Sequence, residues 1–146
     1  MITDAQLTFS DLQAITADAA STNQIDLTVA RNLARSGARN MRFVVLVTTT
    51  FLTIVDLTVK IRQSAASDMS SPDIILTGPT ITLASGGLAV GKKLLDVPWP
   101  DVDPVAAKQY LDLYYDVNTS ATAGKVWAGI VLDDEGGEYR LGNIGR

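Results

Sequence analysis

The sequence contains neither cysteine nor histidine. Without imidazole or thiol there is no Ser-His-Asp triad, no thiolate nucleophile, no disulfide scaffold and no ordinary zinc site. Only carboxylates, hydroxyls, lysines and arginines remain for chemistry. Basic residues are also scarce, 12 against 16 acidic, for a net charge of −4 and a pI near 4.6. Free nucleic acid is a poor partner for such a chain, because phosphate neutralisation needs a basic surface. No run approaches the roughly 18 apolar residues of a membrane span, and Met1-Ile2-Thr3-Asp4 shows no basic or apolar leader pattern. The expectation is a soluble chain made in the cytoplasm.

What the chain does have is apolar content: 47% hydrophobic residues and a mean hydropathy of +0.18, with only 19% charged. At 146 residues it suits one domain with a real core. The surplus of apolar residues hints that part of its surface is covered by a partner.

Alternation of period two is the clearest pattern. In Val55–Arg62, Val55, Leu57, Val59 and Ile61 fall on one face, and Asp56, Thr58, Lys60 and Arg62 on the other, in water. Leu111, Leu113, Tyr115 and Val117 repeat it against Asp112, Tyr114 and Asp116, and Val126, Ala128, Ile130 and Leu132 repeat it again. Met41–Val47 and Thr80–Leu83 are further strand candidates. Turn signals separate them: Ser71-Pro72-Asp73, Gly78-Pro79, Ser85-Gly86-Gly87, Pro98-Trp99-Pro100 and Asn118-Thr119-Ser120. Short strands punctuated in this way read as an all-β antiparallel sandwich or barrel. Helical signals are weaker. Ser10-Asp11-Leu12-Gln13 has the S-x-x-Q form of a capping box; Thr28–Ser36 is long enough for two turns ending at Gly37; Asp103-Pro104 is a third possible start. Residues 1–27 read equally well as an extended arm.

Three constellations invite a chemical reading. Gly86-Gly87-Leu88-Ala89-Val90-Gly91-Lys92-Lys93 matches G-x-x-x-x-G-K, but Lys93 stands where a phosphate-binding loop places Ser or Thr. Pro98 and Pro100 also leave no room for the helix such a loop requires. Asp112 and Asp116 are about 13 Å apart along a strand, too far for a glycosidase pair. Asp101 with Asp103, and the acidic loop 133–138, lack the spacing of a calcium loop. No metal, cofactor or catalytic set is expected.

Interaction residues are better candidates. Arg31, Arg35, Arg39 and Arg42 form an acid-free basic stretch, with Arg31 and Arg35 on one face if Thr28–Ser36 is helical. Such a stretch is either a solvated face or a dock for an acidic protein surface. Trp99, held between two prolines, either docks against a partner or folds back over the core. Trp127 sits on the polar phase of its strand and would cover a second surface such as a subunit contact.

Several strings resemble the cement, or capsid-decoration, proteins of tailed bacteriophages of the Bordetella podovirus type. They are Met1-Ile2-Thr3-Asp4-Ala5-Gln6-Leu7-Thr8-Phe9-Ser10-Asp11, Gln13-Ala14-Ile15-Thr16, and Ala20 through Leu27. Near the other end they are Lys108-Gln109-Tyr110-Leu111-Asp112-Leu113-Tyr114-Tyr115, Ala121 through Val126, and Ala128 through Asp133. The resemblance covers both ends, and the middle matches in character only. It implies a jelly-roll-like β-sandwich over 28–146 with an extended N-terminal arm, 1–27, in the same unit. It further implies a non-enzymatic virion protein on the outer surface of the head, bound to the major capsid protein and to itself as a homodimer or trimer. The four arginines match no family pattern. The competing function is a lectin-like virion module, which would need an exposed aromatic row. Tyr110 and Tyr114 share a strand face, while Tyr115 points the other way.

Overall fold

A computed structural model describes residues 2–27, 41–100 and 107–132. Nine strands make up most of them: β1 (Ile2–Ala14), β2 (Ala19–Ala20), β3 (Ile25–Asp26), β4 (Met41–Leu52), β5 (Asp56–Ser64), β6 (Asp73–Thr82), β7 (Lys93–Pro98), β8 (Tyr110–Asn118) and β9 (Ala123–Leu132). All pairings are antiparallel. The first sheet has the order β1-β9-β4-β7; the second has β2-β8-β5-β6, with β3 also pairing β8. With β2 and β3 taken as one interrupted strand, the chain crosses between sheets at every connection except the β5–β6 hairpin. That is the double Greek key of a jelly roll.

The alternation explains why these segments pair. Leu57, Val59 and Ile61 of β5, Leu111, Leu113 and Tyr115 of β8, and Val126, Ala128 and Ile130 of β9 are all buried. They meet Phe43, Val45 and Val47 of β4 in one core. Phe9 stacks on Phe43 with ring centroids 5.9 Å apart. Burying each Val, Leu, Ile or Phe side chain among them contributes roughly 1.5–3 kcal/mol.

Three expectations change in detail. The β5 strand begins at Asp56, and Val55 stands exposed ahead of it. Thr53, at φ 63, turns the chain from one sheet to the other at that point. The β6 strand runs from Asp73 and passes through Gly78-Pro79, because an edge strand needs no amide at the proline. The Ser10–Gln13 string is not a helix start. Its Ser10 hydroxyl does reach Gln13 Oε1, at 2.6 Å, but within a bulged β1 where Leu12 takes φ 50. Residues 2–27 are extended, and β1 joins the first sheet while β2 and β3 join the second. The segments 28–40, 101–106 and 133–146 lie outside the described residues, and with them Thr28–Ser36, Arg31, Arg35, Arg39, Asp101, Asp103 and the acidic loop.

Candidate interaction surfaces

The two outer faces of the sandwich differ in chemistry. On the second sheet, register places Arg62 opposite Asp112 and Lys60 beside Asp116. Arg62 grips Asp112 with Nε at 2.9 Å and Nη2 at 2.5 Å, and its guanidinium carbon lies 4.4 Å from the centre of the Tyr114 ring. Lys60 pairs with Asp116, Asn118 donates to Asp56 at 3.1 Å, and the hydroxyls of Thr58 and Thr80 share a hydrogen bond of 2.8 Å. The expectation of a water-facing row is therefore corrected. Asp112 is only 2% exposed and Arg62 14%, because each satisfies the other while the guanidinium lies over the Tyr114 ring. Asp112 and Asp116 each hold a separate cation and form no carboxylate pair.

On the first sheet the outward residues are Val44, Leu46, Trp127, Gly129 and Val131, with Arg42 and Asp96 at one side. Val44 and Val131 are 3% exposed, yet neither belongs to the interior core. Trp127 lies across Gly129: a Cβ there would stand 2.9 Å from the ring's Cη2 and 3.1 Å from the Leu7 carbonyl oxygen. Glycine is thus what lets the indole lie flat on the sheet. Leu46, directly opposite Trp127, stays half-buried. This is an apolar strip on the outside of the sandwich, where alternation alone places polar side chains.

Arg42 is engaged within the chain. Its Nε donates to Asp96 Oδ1 at 2.6 Å and its Nη2 to the Asp96 carbonyl at 3.0 Å, tying β4 to β7. Lys93 Nζ donates to the other carboxylate oxygen at 2.6 Å. Burial alone would raise the Asp96 carboxyl; the Lys93 and Arg42 hydrogen bonds and charges outweigh it and hold the carboxyl below its usual range. Trp99 folds back onto the core, its ring 5.1 Å from that of Phe43, with its amide donating to the Met41 carbonyl at 3.1 Å. Of the three proposed contact residues that are described, Arg42, Trp99 and Trp127, only Trp127 stands on an outward face free of such internal pairing.

The glycine-rich string is a structural turn. A 3-10 turn at Leu83–Ser85 ends at Gly86, with φ 72, and Gly91 takes φ 83. The backbone amides of Gly86, Gly87, Ala89, Val90, Gly91 and Lys92 already donate to Leu83, Ser85, Gly86, Thr50, Val47 and Ala89. A phosphate cradle needs those amides free, and strand β7 follows in place of a helix. Among the described residues no group of three or more acids stands together as a metal site, and no helix is long and apolar enough to cross a membrane. Tyr115 is buried, Tyr114 lies under Arg62 and Trp99 packs on Phe43, so these aromatics form no exposed row.

The molecule is thus a jelly-roll β-sandwich whose outer faces are unlike, one closed by its own ion pairs and one carrying an apolar strip. A family model described as Bbp16 matches residues 9–130. The chain belongs to the Bbp16 family, whose name points to a Bordetella phage protein, in keeping with a structural role in a virion. No curated protein matches it.

Proposed function

We propose that this protein is a capsid cement, or decoration, protein. It binds the outer surface of the phage head, holds neighbouring major capsid subunits together, and carries out no chemistry of its own. The observation that carries the reading is the asymmetry of the sandwich within a phage family. The second sheet's outward charges are matched by its own residues, whereas the first sheet presents Trp127 and Leu46 over Val44 and Val131.

Docking through that strip uses a large aromatic already held in place by Gly129, so little rotamer freedom is lost on binding. Stabilisation follows by linkage. A ligand that binds the assembled shell and not its separated subunits shifts the equilibrium toward the shell, and many equivalent copies make a modest affinity per site sufficient. The protein acts as a homo-oligomer, which lets one particle touch several shell subunits.

The test is co-sedimentation with expanded heads that lack the protein. The wild type should pellet with the heads, and Trp127→Ala should lose about tenfold or more in affinity. A wild type that stays in the supernatant contradicts the reading. Equal binding by Trp127→Ala moves the contact elsewhere on the protein.

A further inference from the structure

Four connections meet at one end of the sandwich: β1–β2 at 15–18, β4–β5 at 53–55, β6–β7 at 83–92 and β8–β9 at 119–122. Not one of residues 14–17, 48–55, 82–91 and 117–124 is charged, in a chain where 19% of residues are. Among the described residues, three of the five exposed large hydrophobic side chains stand here: Leu52 at 53%, Val55 at 51% and Val90 at 62%.

The loops hold one another in place. Phe51 donates to the Leu88 carbonyl, Val90 to the Thr50 hydroxyl, Val55 to the Asn118 carbonyl, Leu83 to the Val55 carbonyl and Thr122 to the Leu52 carbonyl. This apolar tip is therefore preorganised. Charges return only at its rim, and they are sorted by sheet. Asp18 and Asp56 stand on the margin of the second sheet; Lys92 and Lys125 stand on the margin of the first, both exposed and without an ion pair among the described residues.

We infer that this end is the contact through which a second copy of the chain docks, end to end about a two-fold axis. A two-fold contact sets the same patch on both sides, so a patch of one charge sign would meet itself. Here the centre is uncharged, and its dehydration carries no ionic penalty. Rotation that brings the first-sheet margin of one copy onto the second-sheet margin of the other sets Lys92 and Lys125 facing the partner's Asp18 and the partner's Asp56. The rim thereby becomes complementary to itself, in a chain whose net charge of −4 otherwise keeps copies apart. The inference rests on the homo-oligomer part of the reading above, not on binding to the shell.

Sedimentation equilibrium of the full chain tests it. The wild type should be a dimer. The double variant Leu52→Asp/Val90→Asp should raise the dissociation constant at least about a hundredfold, since it drives unpaired carboxylates into the contact. Lys92→Glu/Lys125→Glu, altering only exposed rim residues, should raise it about tenfold, and both variants should melt with the wild type. A wild type that is monomeric, or trimeric, at about 100 µM overturns the inference; the monomer also removes the homo-oligomer reading. A folded variant pair that stays as dimeric as the wild type overturns the inference alone. Should the Asp variant fail to fold, the rim variant decides by itself.

Discussion

The Ser10 hydroxyl on β1 lies 2.8 Å from the Tyr115 hydroxyl on β8, a buried hydrogen bond across the interior between the two sheets. Ser10 also donates to Gln13, whose amide reaches the Ala20 carbonyl at 2.8 Å, so one side-chain network joins β1, β2 and β8. Burial pushes the Tyr115 phenol well above its ordinary value of 10, with the Ser10 hydrogen bond opposing and the Asp112 charge adding to the rise. The folded state therefore keeps this proton more tightly than the unfolded chain. The stability tied to it is complete below about pH 10 and is lost as pH climbs above that value. Tyr115→Phe should cost about 1 kcal/mol at pH 7 and should flatten the alkaline loss. Urea midpoints between pH 8 and 11 would check both parts; an unchanged alkaline slope counts against Tyr115 as its source.

Asp96 supplies the opposite limb. Its carboxyl is held low, so its contribution is present above about pH 4 and fades as pH falls through the lowered value. Its side chain is 26% exposed, and the part of acid unfolding it accounts for is about 0.5–1 kcal/mol after solvent screening. Asp96→Asn should lower stability at pH 7 by that amount and match the wild type more closely near pH 3, as thermal melts at the two pH values would show.

Asp112 and Arg62 are a buried pair, and half of such a pair is worse than none. Asp112→Ala should destabilise by about 3 kcal/mol, because it leaves a guanidinium only 14% exposed without its carboxylate. Replacing both with apolar residues of similar size, Arg62→Met with Asp112→Leu, should recover most of that loss. Equilibrium denaturation of the single and double variants reads the coupling directly.

Gly124 is a position where only glycine fits. It takes φ 146, and a Cβ there would stand 2.2 Å from Phe51 Cδ1 in the core. Gly124→Ala should therefore cost about 2 kcal/mol or more through strain and displaced packing. Gly86→Ala pays for a left-handed conformation but meets no atom within 4 Å, so its cost should be about 1 kcal/mol. The difference between their melting temperatures separates packing from backbone strain.

How much of this was legible beforehand depends on range. Alternation in β5, β8 and β9 exposed the core faces residue by residue, because a period of two is local information. The β7 strand is hidden because its first residue, Lys93, closes the glycine-rich string, and most of β6 because Gly78-Pro79 is a turn signal. Cross-strand chemistry was out of reach: Asp112 is buried only because register sets Arg62 opposite it, fifty positions away. Trp99 and Arg42 illustrate the same limit. Their composition suits an interface, and only the fold shows that Phe43 and Asp96 already occupy them. Trp127 was readable as outward-facing from its phase, whereas the glycine bed that holds its ring was not. The uncharged end of the sandwich was present in the sequence, but as four separate segments that only the topology brings together.

The central claim is that binding of this protein braces the phage head. The most direct measurement is the rupture temperature of expanded heads stripped of the protein, before and after adding it back in purified form. The account predicts a saturable rise in rupture temperature with the wild type, and a right-shifted titration with Trp127→Ala. Heads that bind the protein at saturation yet rupture at an unchanged temperature would contradict it.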